Sequence, residues 1–324
     1  MPDSAQLMRL RPDALRPGDT VGIIAPAGFI DRDALEAGCA WLIRKGYQPF
    51  YLSSIFDRDL YFAGSAQGRL HEFHEMFSRP EIKAIICARG GYGCNYLLPN
   101  VDIGLIKANP KIFCGCSDVT TLLTFLCDRA GMVTFHGPML NVDTRPDGVD
   151  EESWDAALAS GQSYEREFAA EEVQTLVPGR AQGMLYGGCL SLLCASLGTP
   201  YEIETRGTIL FIEDLAEPAF RIDRMLMHLK LAGKFDGVRG LIFGEMLNCS
   251  SRNGHDYTLQ QVVERVVGDL GIPVAYGLKS GHVSRANITL PFGVAAGFTA
   301  AKTVTLGLAA SVQPKSAAVH AHKS

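Results

Sequence analysis

Lys111-Ile112-Phe113-Cys114-Gly115-Cys116-Ser117-Asp118-Val119 is the stretch on which the reading of this chain turns. Lys111 to Cys114 is a short, largely apolar run closed by a small-residue turn, and it predicts a buried strand. The segment from about Val119 to Arg129 predicts a helix. Where a strand passes directly into a helix, a parallel sheet places its chemistry, because the first helical turn has backbone N–H groups without partners. Ser117 falls at that point, with its hydroxyl over donors suited to holding a developing oxyanion. The same residue also suits a plain helix N-cap, for which Ser and Asp are both favoured. The G-x-S-x-G pattern of hydrolases lacks its second glycine, since position 119 is Val.

Outward from this stretch, short apolar runs alternate with amphipathic segments. Strands are expected at 20–24 and 81–88, and helices at 31–45 and 68–77. That alternation argues for a parallel sheet with helices on its faces. The pattern breaks between Thr144 and Arg180, which is rich in acidic and small residues. It resumes at Ala181, with a helix expected over 190–197 and another over 221–231. Strands are expected at 208–212, 240–243 and 303–308. The expected organisation is an N-terminal unit at 1–145, a linker at 146–180, a C-terminal unit at 181–312 and a frayed tail at 313–324.

The chain has 324 residues, of which 47% are hydrophobic and 20% charged, enough for two domains with real cores. A formal net charge of -5, with no Lys/Arg cluster interleaved with aromatics, argues against nucleic acid as a partner. No run is long enough for a membrane span, and charges interrupt the N-terminal residues where a signal peptide would be apolar. The nine cysteines are scattered, several inside apolar runs (Cys87, Cys127, Cys194), which suits reduced thiols and a cytoplasmic protein.

Three further places hold polar groups beside apolar runs. Glu213 ends the run Thr208 to Ile212, and a carboxylate there needs a partner. Asp214 and Glu217 are close enough to compete for that role. His282 follows a glycine after a small polar turn, and His136, in Phe135-His136-Gly137-Pro138, is a rival to it. Arg89-Gly90-Gly91-Tyr92-Gly93 is a glycine-rich turn that brings backbone N–H groups together, without the G-x-G-x-x-G spacing of a dinucleotide site. Cys116 is a rival nucleophile to Ser117. His71 and His74 lack the H-E-x-x-H spacing, no paired cysteine motif is present, and neither a metal nor a cofactor is expected.

Taken in order, these segments resemble the LD-carboxypeptidases, serine peptidases of cell-wall muropeptides, and the related microcin-immunity peptidases. The resemblance rests on Ile24 to Gly28, Phe62 to Ser65, Arg89 to Gly93, Gly115 to Asp118, Gly137-Pro138-Met139 and Gly187-Gly188. Farther on it rests on Glu213-Asp214, Glu217-Pro218, Arg221 to Leu226, Gly281-His282 and Thr289-Leu290-Pro291. Two departures stand out: Cys189 where the family has Asn after Gly-Gly, and Ala66 where an acid is common. The resemblance implies an α/β protein with an N-terminal flavodoxin-like domain, a C-terminal β-rich swivelling domain, and a homodimer. It implies Ser117 as nucleophile, Glu213 as the acid orienting the base, His282 as the base, and the N–H groups of Asp118 and Gly91 as the oxyanion hole. The substrate it implies is a muropeptide tetrapeptide, cut before its terminal D-alanine. Free carboxylates of such a substrate need cationic partners, for which Arg89, Arg221 and Arg224 are candidates, although Arg221 and Arg224 equally suit the surface of a helix. The alternatives are cleavage of acyl-sulfamoyl or aminoacyl nucleotides, or non-catalytic binding of a small ligand.

Overall fold

The computed structural model describes residues 9–141, 147–250 and 257–314. Five strands of the N-terminal half, β1 (Thr20–Ile24), β2 (Gln48–Phe50), β3 (Ile82–Cys87), β4 (Ile112–Gly115) and β5 (Thr134–His136), form a parallel sheet in the order β2-β1-β3-β4-β5. This is the doubly wound flavodoxin order, in which the ligand crevice opens at the carboxyl ends of β1 and β3. Helices α1 (Arg32–Arg44), α2 (Ala66–Ser78), α3 (Ile103–Ala108) and α4 (Thr120–Phe125) connect the strands. Coverage on both faces explains the unbroken apolar runs, with Ile23, Ile24, Ile85, Ile86 and Phe113 fully buried.

The second half builds an eight-stranded sheet. Its centre is parallel: β8 (Gly179–Cys189), β9 (Thr208–Glu213), β10 (Gly240–Gly244) and β11 (Val274–Leu278). Around it run antiparallel strands β13 (Ala295–Ala300) and β14 (Val304–Leu308), with β6 (Tyr164–Phe168) at one edge and β7 (Gln174–Val177) at the other. Helices α6 (Leu190–Ala195), α7 (Ala219–Leu231) and α8 (Leu259–Val267) belong to this half. One strand crosses back: β12 (Leu290–Phe292) adds antiparallel to β5, so that the C-terminal half completes the first sheet.

Residues 147–180 are not the linker expected from their composition. They carry α5 (Glu151–Leu158) as well as β6 and β7. The acidic run that looked like a surface excursion is a helix start. The Asp150 side chain accepts from Ser153 N–H at 2.9 Å, and Glu151 and Glu152 lie in the first turn, where carboxylates are favoured. Trp154 of this helix is fully buried against Trp41 of α1. The two strands escaped notice because edge strands bury one side only, and in β6 exposed Glu165 and Glu167 alternate with the inward residues. At the other end, Gln313 N–H donates to Pro12 C=O at 2.8 Å, so the chain is anchored at the position where a tail was expected. Residues 315–324 of that tail lie outside the described residues, as do His320 and His322.

The two halves are also joined by Tyr186 of β8, whose buried hydroxyl donates to Asp128 Oδ2 at 2.6 Å. Burial pushes the Asp128 carboxyl up to about 6, against the opposing pull of that bond. Tyr186→Phe removes the donor and leaves the carboxylate short of a partner. The expected cost is about 1–3 kcal/mol in urea unfolding, and an unchanged midpoint would contradict it.

Candidate active site

Ser117 follows β4 in a turn of 3-10 helix (Ser117–Val119) that leads into α4. Its φ is +60°, a left-handed value that a non-glycine residue adopts at a cost of order 1–3 kcal/mol and that aims its side chain out of the turn. The turn itself is tight: a Cβ on Gly115 would stand 2.8 Å from Val119 Cγ1, so the valine fills the space that glycine 115 leaves. The glycine-rich turn after β3 packs directly on the serine. A Cβ on Gly90 would lie 2.7 Å from Ser117 Cβ and 2.8 Å from its Oγ, closer than any side chain tolerates. Gly91 follows with φ +114°, and Gly28 N–H bonds Gly90 C=O at 3.0 Å, tying together the loops that flank the β1/β3 crevice.

Behind the serine, Asp118 is buried and accepts from Cys94 N–H at 2.8 Å, fastening the Ser117 turn to the glycine turn. Burial raises the Asp118 pKa, while the Cys94 bond and the Arg69 charge oppose it. Arg69 of α2 is itself buried and donates to the carbonyls of Pro26 and Gly93 at 2.5 and 2.9 Å.

Glu213, the last residue of β9, is completely buried. Its Oε2 stands 2.8 Å from His282 Nδ1 and accepts from His282 N–H at 3.1 Å. His136, also completely buried, holds its Nε2 3.7 Å from the other oxygen, Oε1. Burial acts to raise the Glu213 pKa. The positive charge of His282 and the contacts with both histidines outweigh it and hold the carboxyl down at about 2. A group depressed in this way stabilises the fold fully above the ordinary carboxylate pKa, and loses that contribution progressively as pH falls from there through about 2. The competing acids are engaged elsewhere. Asp214 accepts from Ser191 N–H at the start of α6 and from Leu215 N–H, and Glu217 pairs with Arg221 at 3.4 Å.

The loop that carries His282 is clamped on both sides. Asn287 bonds both the N–H and the C=O of Gly281, and Glu245 accepts from Ser284 N–H and from its hydroxyl. Gly281, at φ +89°, has no room for a side chain: a Cβ there would stand 2.7 Å from Glu213 Cδ and 2.7 Å from His136 Cε1.

The structure thus forms two groups. Ser117, Asp118, Gly90 and Gly91 make one, and Glu213 with His282 makes the other. They adjoin through His136, which pairs in register with Gly115 two residues before the serine. His282 remains about one-fifth exposed, whereas His136, the rival histidine, has no exposure at all. Arg89 borders the crevice, donating to Phe29 C=O at 2.9 Å, while Arg221 and Arg224 lie on the exposed side of α7. The supporting roles of Arg69, Asn287 and the Asp118 side chain were missed, because a lone buried cation or amide carries no local pattern. Among the described residues, no three His, Cys, Asp or Glu side chains come together as a metal-binding group.

Comparison with known proteins follows this geometry. Residues 21–137 match the family model for the LD-carboxypeptidase N-terminal domain, and residues 182–298 match that for the C-terminal domain. A probable murein peptide carboxypeptidase of Bacillus subtilis (strain 168) is 40% identical over 303 residues, covering 92% of this chain and 95% of its own. The microcin C7 self-immunity protein MccF of Escherichia coli is 32% identical over 311 residues, covering 86% of this chain and 89% of its own. Among solved structures, the muramoyltetrapeptide carboxypeptidase of Oxalobacter formigenes superposes with a TM-score of 0.81 at 28% identity, over 91% of this chain and 99% of its own.

Gly90→Ala is expected to displace Ser117 and to lower the rate of any reaction it carries by about 100-fold, since an ångström of misplacement is enough for that. Circular dichroism should stay native. A variant as fast as the wild type would contradict the close approach described here.

Proposed function

Since this chain belongs to the LD-carboxypeptidase family, a family of peptidases, we propose that it is a serine carboxypeptidase releasing terminal D-alanine from muropeptide tetrapeptides, in cell-wall recycling. The observation that carries this reading is the pair of buried Glu213 and His282 at 2.8 Å, in a chain whose Ser117 is held at positive φ against Gly90. The names of relatives support the substrate class, since one is a murein peptide carboxypeptidase and another a muramoyltetrapeptide carboxypeptidase. Membership of a peptidase family sets aside a purely ligand-binding role.

In this mechanism His282 takes the Ser117 proton as the hydroxyl oxygen attacks the peptide carbonyl. Glu213 fixes the ring through Nδ1 and offsets the imidazolium charge. The N–H groups of Asp118 and Gly91 hold the oxyanion, each donor being worth roughly 3 kcal/mol. The imidazolium returns its proton to the leaving amino group, D-alanine departs, and water, deprotonated by His282, hydrolyses the acyl-enzyme. Arg89 is the cation best placed for a substrate carboxylate, at the mouth of the β1/β3 crevice. In this reading the unit at 1–145 supplies the nucleophile, the unit at 181–312 supplies the acid and base, and the protein works as a cytoplasmic homodimer. Among the described residues no helix is long and apolar enough to cross a membrane.

The resemblance to MccF keeps a second substrate class in view, acyl-sulfamoyl or aminoacyl nucleotides, and one assay separates the two. Purified protein is given a disaccharide-free tetrapeptide ending in D-alanine and, separately, an aminoacyl sulfamoyl adenosine. The proposal expects D-alanine release, detected by mass, with Ser117→Ala inactive. Cleavage of the nucleotide alone would assign the chain to the second class, and activity in Ser117→Ala would remove the serine from the mechanism.

Glu213→Gln should keep the fold and lose activity by about 10³- to 10⁴-fold, because an amide does not enforce the useful tautomer. A loss under about tenfold would contradict the assignment. With Glu213 ionised down to about pH 2, the acid limb of the rate belongs to the histidine. Activity should fall as pH is lowered and the histidine protonates, and a flat profile down to about pH 4 would count against the triad.

A further inference from the structure

The triad uses one oxygen of Glu213. The other, Oε1, is buried without a hydrogen-bond partner, and so is the nitrogen that faces it, His136 Nε2, at 3.7 Å. Two complementary polar atoms left facing each other in the core are not neutral packing, since each alone would carry a desolvation penalty. The surroundings fix the ring in that direction. His136 stacks on Phe292 at a centroid distance of 5.4 Å and leans on Phe211 at 5.3 Å, both apolar faces. Its other nitrogen, Nδ1, lies 3.0 Å from Ser280 Oγ, a hydroxyl with no solvent exposure. Gly281, between Ser280 and His282, is the residue whose missing side chain lets Glu213 and His136 meet.

We propose that His136 is a positioning residue, with its Nε2 proton directed at Glu213 Oε1 and that tautomer set by the Ser280 hydroxyl donating to Nδ1. The opposite tautomer would face a nitrogen lone pair toward the carboxylate and is excluded by repulsion. The arrangement makes one chain of contacts, from Ser280 through His136 and Glu213 to His282. It holds the carboxylate plane from the oxygen that the base does not use. Unliganded contacts of this kind are commonly long and tighten when substrate is bound.

Position in the fold gives His136 a second consequence. It lies on β5, in register with Gly115 of β4, and Gly137 N–H donates to Gly115 C=O at 3.1 Å. Ser117 is two residues farther along the chain, in the turn just past the end of β4, whereas Glu213 belongs to the other sheet. In this proposal His136, on the strand beside the one that leads into Ser117, faces the acid of the other sheet and links the two sides of the site. Cys189, in register with Glu213 on β8, is tied to the start of α4 by Thr120 Oγ1, which accepts its N–H at 3.1 Å. These contacts make the seam between the sheets rigid where the triad crosses it.

The inference rests on the carboxypeptidase reading only for its kinetic arm, so it has two tests. In the first, nitrogen-15 NMR of the wild-type protein without substrate reads the His136 ring directly: a proton on Nε2 is expected, and a bare Nε2 would overturn the proposal. In the second, His136→Gln retains a donor near the Nε2 position, whereas His136→Asn does not. The Gln variant should keep kcat within roughly fivefold and the Asn variant should lose roughly 30-fold or more, with KM within about threefold in both. Equal kcat in the two variants would overturn the proposal, since a space-filling role does not distinguish them. A wild-type enzyme that releases no D-alanine would sink the substrate assignment and leave the NMR result to decide this one.

Discussion

A carboxylate with no solvent exposure is the constraint around which this molecule is arranged. Glu213 ends a strand that is buried at every position, and an isolated charge there would cost several kcal/mol. Its stability comes from partners brought by distant parts of the chain: a ring nitrogen and a backbone N–H of His282, and the imidazole of His136 on the other sheet. Those demands explain much of the local sequence. Gly281 has to lack a side chain, Asn287 has to clamp its backbone, and β12 has to return to the first sheet beside β5. Removing one partner of such a group typically costs 3–5 kcal/mol, so the pairing of Glu213 with His282 is structural whatever its part in the reaction.

The Ser117 side obeys a different constraint, that of close approach. Ser117 takes a left-handed backbone, and the turn of Gly90 and Gly91 comes near enough to exclude any side chain at position 90. In the proposed mechanism, this close approach lets backbone N–H groups reach the oxyanion without intervening atoms. The strain is maintained by bonds behind the site. Asp118 ties the two turns through Cys94 N–H, and Arg69 holds the carbonyls of Pro26 and Gly93 from beneath. The departure from Asn to Cys at position 189 leaves this arrangement intact, because it is the Cys189 N–H that bonds Thr120.

Much of this was legible in the sequence where the signal was local. A short apolar run, a small-residue turn and an amphipathic segment identified β4, Ser117 and α4, and the spacing of such runs implied the parallel sheet. What escaped was non-local or one-sided. Nothing near Asp214 indicates that it caps a helix 23 residues earlier, so residue patterns alone do not separate Glu213 from Asp214 and Glu217, and in the sequence only the resemblance to the family singles out Glu213. The acidic run at 150–152 read as solvent-facing linker although it starts a helix whose tryptophan is buried. Strands β6 and β7 lie at sheet edges, where half the side chains face water and the apolar pattern is diluted. His136 could be noticed as a histidine beside an apolar run, but its partner is supplied by another sheet.

The central claim is that Ser117 is a nucleophile activated by a histidine that Glu213 holds in place. Labelling with a fluorophosphonate probe, which phosphonylates activated serines, followed by peptide mapping, tests it without assuming the natural substrate. The account predicts one adduct, on Ser117, formed in the wild type and suppressed at least about 100-fold in His282→Ala. An adduct on Cys116 or another residue, or labelling of Ser117 that is equally fast without the histidine, would contradict it.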